Sequence, residues 1–168
     1  MAGWTPRHAG AKKDAAGGPV ASGACAPAGG GDGGGGDRRP RGLADRIECR
    51  HGDYHADEYE PGAYDACTIF GALHQESPED IVAILGRAFR ALKPGGVLYV
   101  LDMMTDATRA NPPFSALFGL NMALTTKNGW VFSDDELKGW MREAGFEPGA
   151  TRPAPPPMPH WLVAAVRP

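Results

Sequence analysis

From Tyr64 onward the chain switches between two hydrophobic periods, and that switching predicts its architecture. Tyr64-Asp65-Ala66-Cys67-Thr68-Ile69-Phe70 is a short apolar, β-branched and aromatic run between Pro61-Gly62 and Gly71, which reads as a buried strand. Ile81, Ile84, Leu85, Ala88, Phe89 and Leu92 then recur at helical spacing, giving one apolar stripe to lay on a sheet. Ser77 is placed to cap this helix, Pro78 suits its first position, and Glu79 and Asp80 favour the positive end of its dipole. Lys93-Pro94-Gly95-Gly96 ends it. Val97-Leu98-Tyr99-Val100-Leu101 follows as the unbroken run of a strand buried on both faces of a parallel sheet. Strand, helix, strand is a right-handed crossover, so the predicted class is α/β.

Downstream, Phe114, Leu117, Phe118, Leu120 and Leu124 mark a further helix after the connection that ends in Asn111-Pro112-Pro113. Ser133-Asp134-Asp135-Glu136 is a capping box for the next, whose apolar side is Leu137, Trp140, Met141 and Ala144 and whose stop is Gly145. Pro153 to Pro159 is too proline-rich for a central strand and reads as an extended linker or an edge, and Trp161 to Val166 reads as a last strand. Upstream, Arg46-Ile47-Glu48-Cys49-Arg50 is a short alternating strand. Residues 1–41 have no apolar periodicity and carry the Gly29-to-Gly36 tract, so they read as a disordered low-complexity tail on a domain spanning 42–168.

Composition narrows the picture only a little. The 168 residues are one domain's length, and 42% hydrophobic content fits a globular protein. A net charge of -3 gives no reason to expect nucleic acid or an anionic membrane as partner. No run is long and apolar enough for a membrane helix, and no signal-peptide centre is evident, so a cytoplasmic location is the expectation. Cys25, Cys49 and Cys67 are odd in number and lack metal-ligand spacing, which makes them packing cysteines.

The candidate chemistry sits at strand ends. Asp53 follows the 46–50 segment, His74 follows the strand ending at Phe70, and Asp102 follows the 97–101 strand. In an open α/β sheet with parallel strands these three side chains would line one rim, where such sheets place their ligands. The plainer readings are a turn-stabilising Asp53, a His74 that bonds the adjoining helix, and an Asp102 that caps a loop. Phe114, Phe118, Met122 and Trp130 are candidate walls of an aromatic acceptor pocket or simply core. His51, Asp53, His55 and Asp57 are all metal-capable residue types, but their alternation in a loop reads as solvated polar surface, and no metal is expected.

Taken in order, several segments carry a resemblance. Gly42-Leu43-Ala44-Asp45-Arg46-Ile47 with Gly52-Asp53-Tyr54, Leu73-His74 before an acidic helix start, Ala91-Leu92-Lys93-Pro94-Gly95-Gly96 and Glu143-Ala144-Gly145-Phe146 together resemble class I S-adenosylmethionine-dependent O-methyltransferases. This family includes hydroxyindole and plant phenolic enzymes and many bacterial natural-product methyltransferases, and the likeness runs from Gly42 to Pro168 over their C-terminal catalytic part. It implies a Rossmann-like sheet, S-adenosyl-L-methionine as cofactor and a small hydroxylated, aromatic acceptor as substrate. Asp53 and Tyr54 would then contact adenine, His74 would be the general base, and Asp102 would match one acidic side chain that positions it. The family's second such acid falls near Val131, and Glu76 or Asp106 are the candidates to replace it.

The family's strand and glycine-rich turn for the cofactor are not recognisable, because no apolar strand precedes the Gly29-to-Gly36 tract and a crossover unit of about 30 residues does not fit before Asp53. The sheet is therefore expected to be incomplete, with an open edge on the strand ending at Phe70 that invites a register-shifted partner or a homodimer, and with weak cofactor affinity. Two other functional readings stand beside the methyltransferase: a non-catalytic remnant or interaction module, and another Rossmann-like enzyme such as a nicotinamide oxidoreductase.

Overall fold

The computed structural model describes residues 7–13, 19–25, 47–50 and 53–168, the first three segments as main chain only. Strands β1 (Arg7–Lys13), β2 (Pro19–Cys25), β3 (Ile47–Arg50), β4 (Tyr64–Phe70), β5 (Leu92–Asp102), β6 (Glu147–Pro153) and β7 (Trp161–Val166) form one sheet in the order β3-β2-β1-β4-β5-β7-β6. Helices α1 (Pro78–Ala91), α2 (Pro113–Thr125) and α3 (Asp134–Glu143) and a single 3-10 turn at Leu73–Gln75 complete the described elements.

The crossover β4-α1-β5 is as the hydrophobic periods predict. β4 and β5 are parallel, in register from Ala66 opposite Val97 to Phe70 opposite Leu101, so both strands end at the same rim. Ser77 Oγ accepts the Asp80 amide at 3.2 Å at the start of α1, and the helix buries Ile81, Ile84, Leu85, Ala88 and Ala91. That stripe packs in one core with Leu98 and Val100 of β5 and with Leu137 and Met141 of α3. Each fully buried Leu or Ile there contributes about 1.5–3 kcal/mol. The α3 capping box is also present: Ser133 Oγ accepts from Glu136 N at 3.2 Å and Glu136 Oε2 accepts from Ser133 N at 2.7 Å. Gly145 ends that segment with φ +100, a conformation in which a side chain would be strained and would meet the Phe89 ring at 2.9 Å.

The structure differs from expectation in three places. β5 begins at Leu92, because Leu92 already pairs with Tyr64 and the Lys-Pro-Gly-Gly turn is absorbed as an irregularity of the ladder, with Gly95 at φ +79. β6 was not foreseen, since Glu147–Pro153 has no alternating pattern; it is an outer strand held to β7 alone, where its prolines are tolerated. Finally, two segments of the span read as a tail, β1 and β2, are strands. β1 runs antiparallel along β4, with Ala9 opposite Thr68 and Gly10 opposite Cys67, and so covers the edge expected to be open. Ladder hydrogen bonds are made by the main chain, so an extended segment can pair without the apolar period that would announce it. The glycine tract at 29–36 lies outside the described residues.

Candidate active site at the sheet rim

Asp102 closes β5 and is wholly buried. Its Oδ2 accepts the main-chain amides of Leu73 at 3.0 Å and His74 at 3.4 Å, and its Oδ1 accepts Met103 N at 2.7 Å. The same Oδ1 lies 2.7 Å from His74 Nδ1. A carboxylate only accepts, so Nδ1 carries the hydrogen and the lone pair is left on Nε2, the arrangement a general base requires. The 3-10 turn at Leu73–Gln75 exists because the parallel register ends β4 beside Asp102, whose carboxylate satisfies the turn's amides. His74 is nearly buried, at 9% exposure. Capping a loop and orienting an imidazole, two alternatives for Asp102, are here one set of bonds.

One aromatic ring packs on the imidazole and a second aromatic residue is bonded to the turn that carries it. The Phe118 ring of α2 meets it edge to face at 5.2 Å, and Trp130 donates its main-chain N to the His74 carbonyl at 2.9 Å and its indole Nε1 to the Glu76 carbonyl at 3.0 Å. Met122 is half-buried. Phe114 is 56% exposed, and Leu117, Leu120 and Leu124 of the same helix are exposed as well; of the four expected wall residues, Phe118 packs on the His74 ring and Trp130 bonds its carbonyl.

Asp53 is not joined directly to the His74–Asp102 pair. It lies in a turn where its carboxylate accepts from His55 N at 2.9 Å and its own amide donates to Asp57 Oδ2 at 2.7 Å. Tyr54 donates its hydroxyl to Glu76 Oε1, and His55 Nε2 lies 2.8 Å from Glu76 Oε2. Burial, then the Glu76 bond and charge, push the Tyr54 hydroxyl well above the ordinary phenol range, so it is a fixed donor. His55 is thus part of a buried-carboxylate network and not simply solvated surface. Among the described residues no group of three or more His, Cys, Asp and Glu side chains is arranged to hold a metal.

The resemblance puts a second acid near Val131, with Glu76 or Asp106 as its expected replacement. The Asp106 carboxylate is turned into its own exposed loop, onto Thr108 Oγ1 at 2.6 Å and Asn111 Nδ2 at 3.0 Å, and these bonds hold it below the usual carboxylate range. Glu76 is buried two residues from His74, with its carboxylate committed to Tyr54 and His55. A residue that the sequence reading missed is Arg109, whose Nη1 donates to the Val131 carbonyl at 3.2 Å while Nη2 meets Glu136 Oε1 at 2.5 Å, with the guanidinium 5.6 Å from the Trp130 ring centre. Its φ of 59 is the one positive φ among the described non-glycine residues, and nothing in the chain's patterning announces it. Cys67 is a packing thiol that burial pushes up to about 12.

In this mixed sheet the buried His74–Asp102 pair lies where the parallel β4–β5 ladder ends. The O-methyltransferase domain model matches residues 38–147, more than half the chain, and the protein belongs to that family. It is 32% identical over 108 residues to an L-tyrosine C(3)-methyltransferase of Streptomyces lavendulae, covering 64% of this chain and 29% of that protein. It is 30% identical over 106 residues to the S-adenosyl-L-methionine-dependent methyl transferase PigF of a Serratia species, covering 63% of this chain and 30% of that one. A solved structure of PigF with SAH superposes with a TM-score of 0.64 and 28% identity, over 75% of this chain and 37% of that chain. It is also 37% identical over 106 residues to the aclacinomycin 10-hydroxylase RdmB of Streptomyces purpurascens, covering 62% of this chain and 28% of that protein. The chain therefore spans about a third of the length of the curated relatives it matches. No helix among the described residues is long and apolar enough to cross a membrane.

Proposed function

We propose that this chain supplies the acceptor-activating part of an S-adenosyl-L-methionine-dependent O-methyltransferase acting on a small hydroxylated aromatic compound. The observation that carries the reading is the 2.7 Å contact between His74 Nδ1 and the wholly buried Asp102. It fixes the tautomer in which Nε2 takes the proton of an acceptor hydroxyl, and it places a negative charge beside the imidazolium that results. The Phe118 ring packs on the imidazole and the Trp130 side chain is bonded to the same Leu73–Glu76 segment, aromatic surface that favours a flat acceptor over an aliphatic one. Asp53 presents an exposed carboxylate and Tyr54 a half-buried ring, an acceptor and a stacking surface suited to an amine-bearing base such as adenine. When bound there, S-adenosyl-L-methionine would supply the electrophilic methyl group.

The test is His74→Ala, assayed for transfer of a labelled methyl group to a panel of phenols, with cofactor binding followed by calorimetry. Loss of about 10²–10⁴-fold in rate with unchanged cofactor affinity is expected. Transfer at the native rate would remove His74 from the reaction. The relative named as a hydroxylase favours a second reading, in which the same fold serves hydroxylation of an acceptor, with molecular oxygen as the oxidant and an external two-electron donor reducing its second atom to water. Product mass separates the two, since one adds a methyl group and the other an oxygen.

A further inference from the structure

His55 Nε2 lies 2.8 Å from Glu76 Oε2, and His55 Nδ1 lies 3.3 Å from Asp53 Oδ1. Both partners are carboxylates, which only accept. A neutral imidazole has one N–H, which Glu76 can take up, while the Asp53 contact is an ion pair and holds only when the ring is charged, so the full bridge needs the imidazolium form. The Glu76 end of this bridge is not peripheral. Glu76 N closes the 3-10 turn on Leu73 O at 3.0 Å, Glu76 O receives the Trp130 indole, and Trp130 N in turn holds the His74 carbonyl.

We infer that His55 is a positioning residue whose protonated bridge between Asp53 and Glu76 fixes the segment carrying His74, and that its deprotonation loosens that segment. The inference rests on the proposed role of His74 as base but concerns a different group. The charged groups facing His55 are Glu76, from the end of the 3-10 turn, and Asp53, from its own turn. The Tyr54 ring lies against it at 4.2 Å, with its hydroxyl on Glu76, and Asp80 of α1 acts on that hydroxyl from further off. Burial alone would lower the His55 pKa, but the bond and charge of Glu76, followed by those of Asp53, outweigh it and raise the value above 6.5. A group so raised gives stability that is complete below its unfolded value and is lost as pH rises through the folded one. The bridge is therefore intact in mild acid and released on the alkaline side.

The experiment is a pH titration of the whole chain between about pH 5 and 9, reading the ¹⁵N resonances of the His74 ring without cofactor or acceptor. In the native chain the His74 signals should contain a component that follows His55, and His55→Gln should lose it. Glu76→Gln keeps a partner for Tyr54 but removes the charge, and should move the component to lower pH. Identical His74 titrations in the native chain and His55→Gln would overturn the inference. Should His55→Gln fail to fold, an unmoved component in Glu76→Gln overturns it equally. Because no methyl transfer is measured, failure of the methyltransferase reading would leave this result interpretable.

Discussion

The two ends of the Leu73–Glu76 segment are held in opposite ways. At the first end Asp102, at 0% exposure, gathers three main-chain amides and one imidazole at the close of a parallel ladder. At the other, Glu76 is held by side chains of the 53–57 turn, one of them a histidine with 44% of its side chain exposed. The first arrangement is architecture, since removing it strands buried backbone donors. The second is a polar tie that solvent can reach and protons can undo. An imidazole held through both is rigid toward the sheet and adjustable toward the loop.

The most severe way to break this contrast is Asp102→Ala. It leaves the buried amides of Leu73 and His74 and the part-buried amide of Met103 without their acceptor, and each orphaned buried donor costs about 1–3 kcal/mol. Unfolding in urea should show a loss of about 3 kcal/mol or more, while Asp102→Asn, which keeps one acceptor oxygen, should lose less. His74→Ala should cost about 1 kcal/mol by the same measurement, because Asp102 keeps its main-chain donors. If Asp102→Ala and His74→Ala were equally mild, the carboxylate would be serving the imidazole alone, and the architectural half of the comparison would fall.

The same contrast explains what was legible in the sequence. The β4-α1-β5 unit follows from residues close together in the chain: a β-branched run, a Ser-Pro-Glu-Asp helix start, a stripe at helical spacing. His74 and Asp102 are then brought together by strand direction alone, since parallel strands in register deliver their ends to one rim. Glu76, His55 and Arg109 depend on contacts between loops more than twenty residues apart, for which no period exists to be read. β1 and β2 escape for another reason. Their pairing uses main-chain groups every residue possesses, so side-chain pattern is silent about it.

A carboxylate that joins both kinds of contact offers an intermediate test. Glu136 completes the local capping box with Ser133 and also holds Arg109 across the Val131 segment. Ser133→Ala removes the local part alone and should cost about 1 kcal/mol, as loss of an N-cap does. Chemical denaturation would measure it. A loss several times larger would mean that the cap also supports the distant Arg109 contact, blurring the line between local and long-range order.

The smallest expected effect comes from Asp134, and its value is in its sign. Asp134 Oδ2 accepts from Lys138 Nζ at 2.7 Å and from Thr151 Oγ1 at 2.5 Å, joining α3 to β6. Burial would raise its pKa, but the Lys138 and Thr151 bonds, with the Lys138 charge, outweigh it and hold the carboxyl below 3.8. A group so lowered gives stability that is complete above the unfolded value and disappears as pH falls through the folded one. Asp134→Asn should therefore cost about 0.3–0.5 kcal/mol near neutrality, the usual worth of such a helix pair, and nothing once the native carboxyl is protonated. His55 behaves in the opposite sense, losing its contribution as pH rises. Thermal denaturation of Asp134→Asn and His55→Gln beside the native chain should thus give difference curves that close at opposite ends of the pH range, one in acid and the other in alkali. Two curves closing at the same end would mean that the His55 bridge does not depend on its proton, and the loop side of the site would then be as fixed as the sheet side.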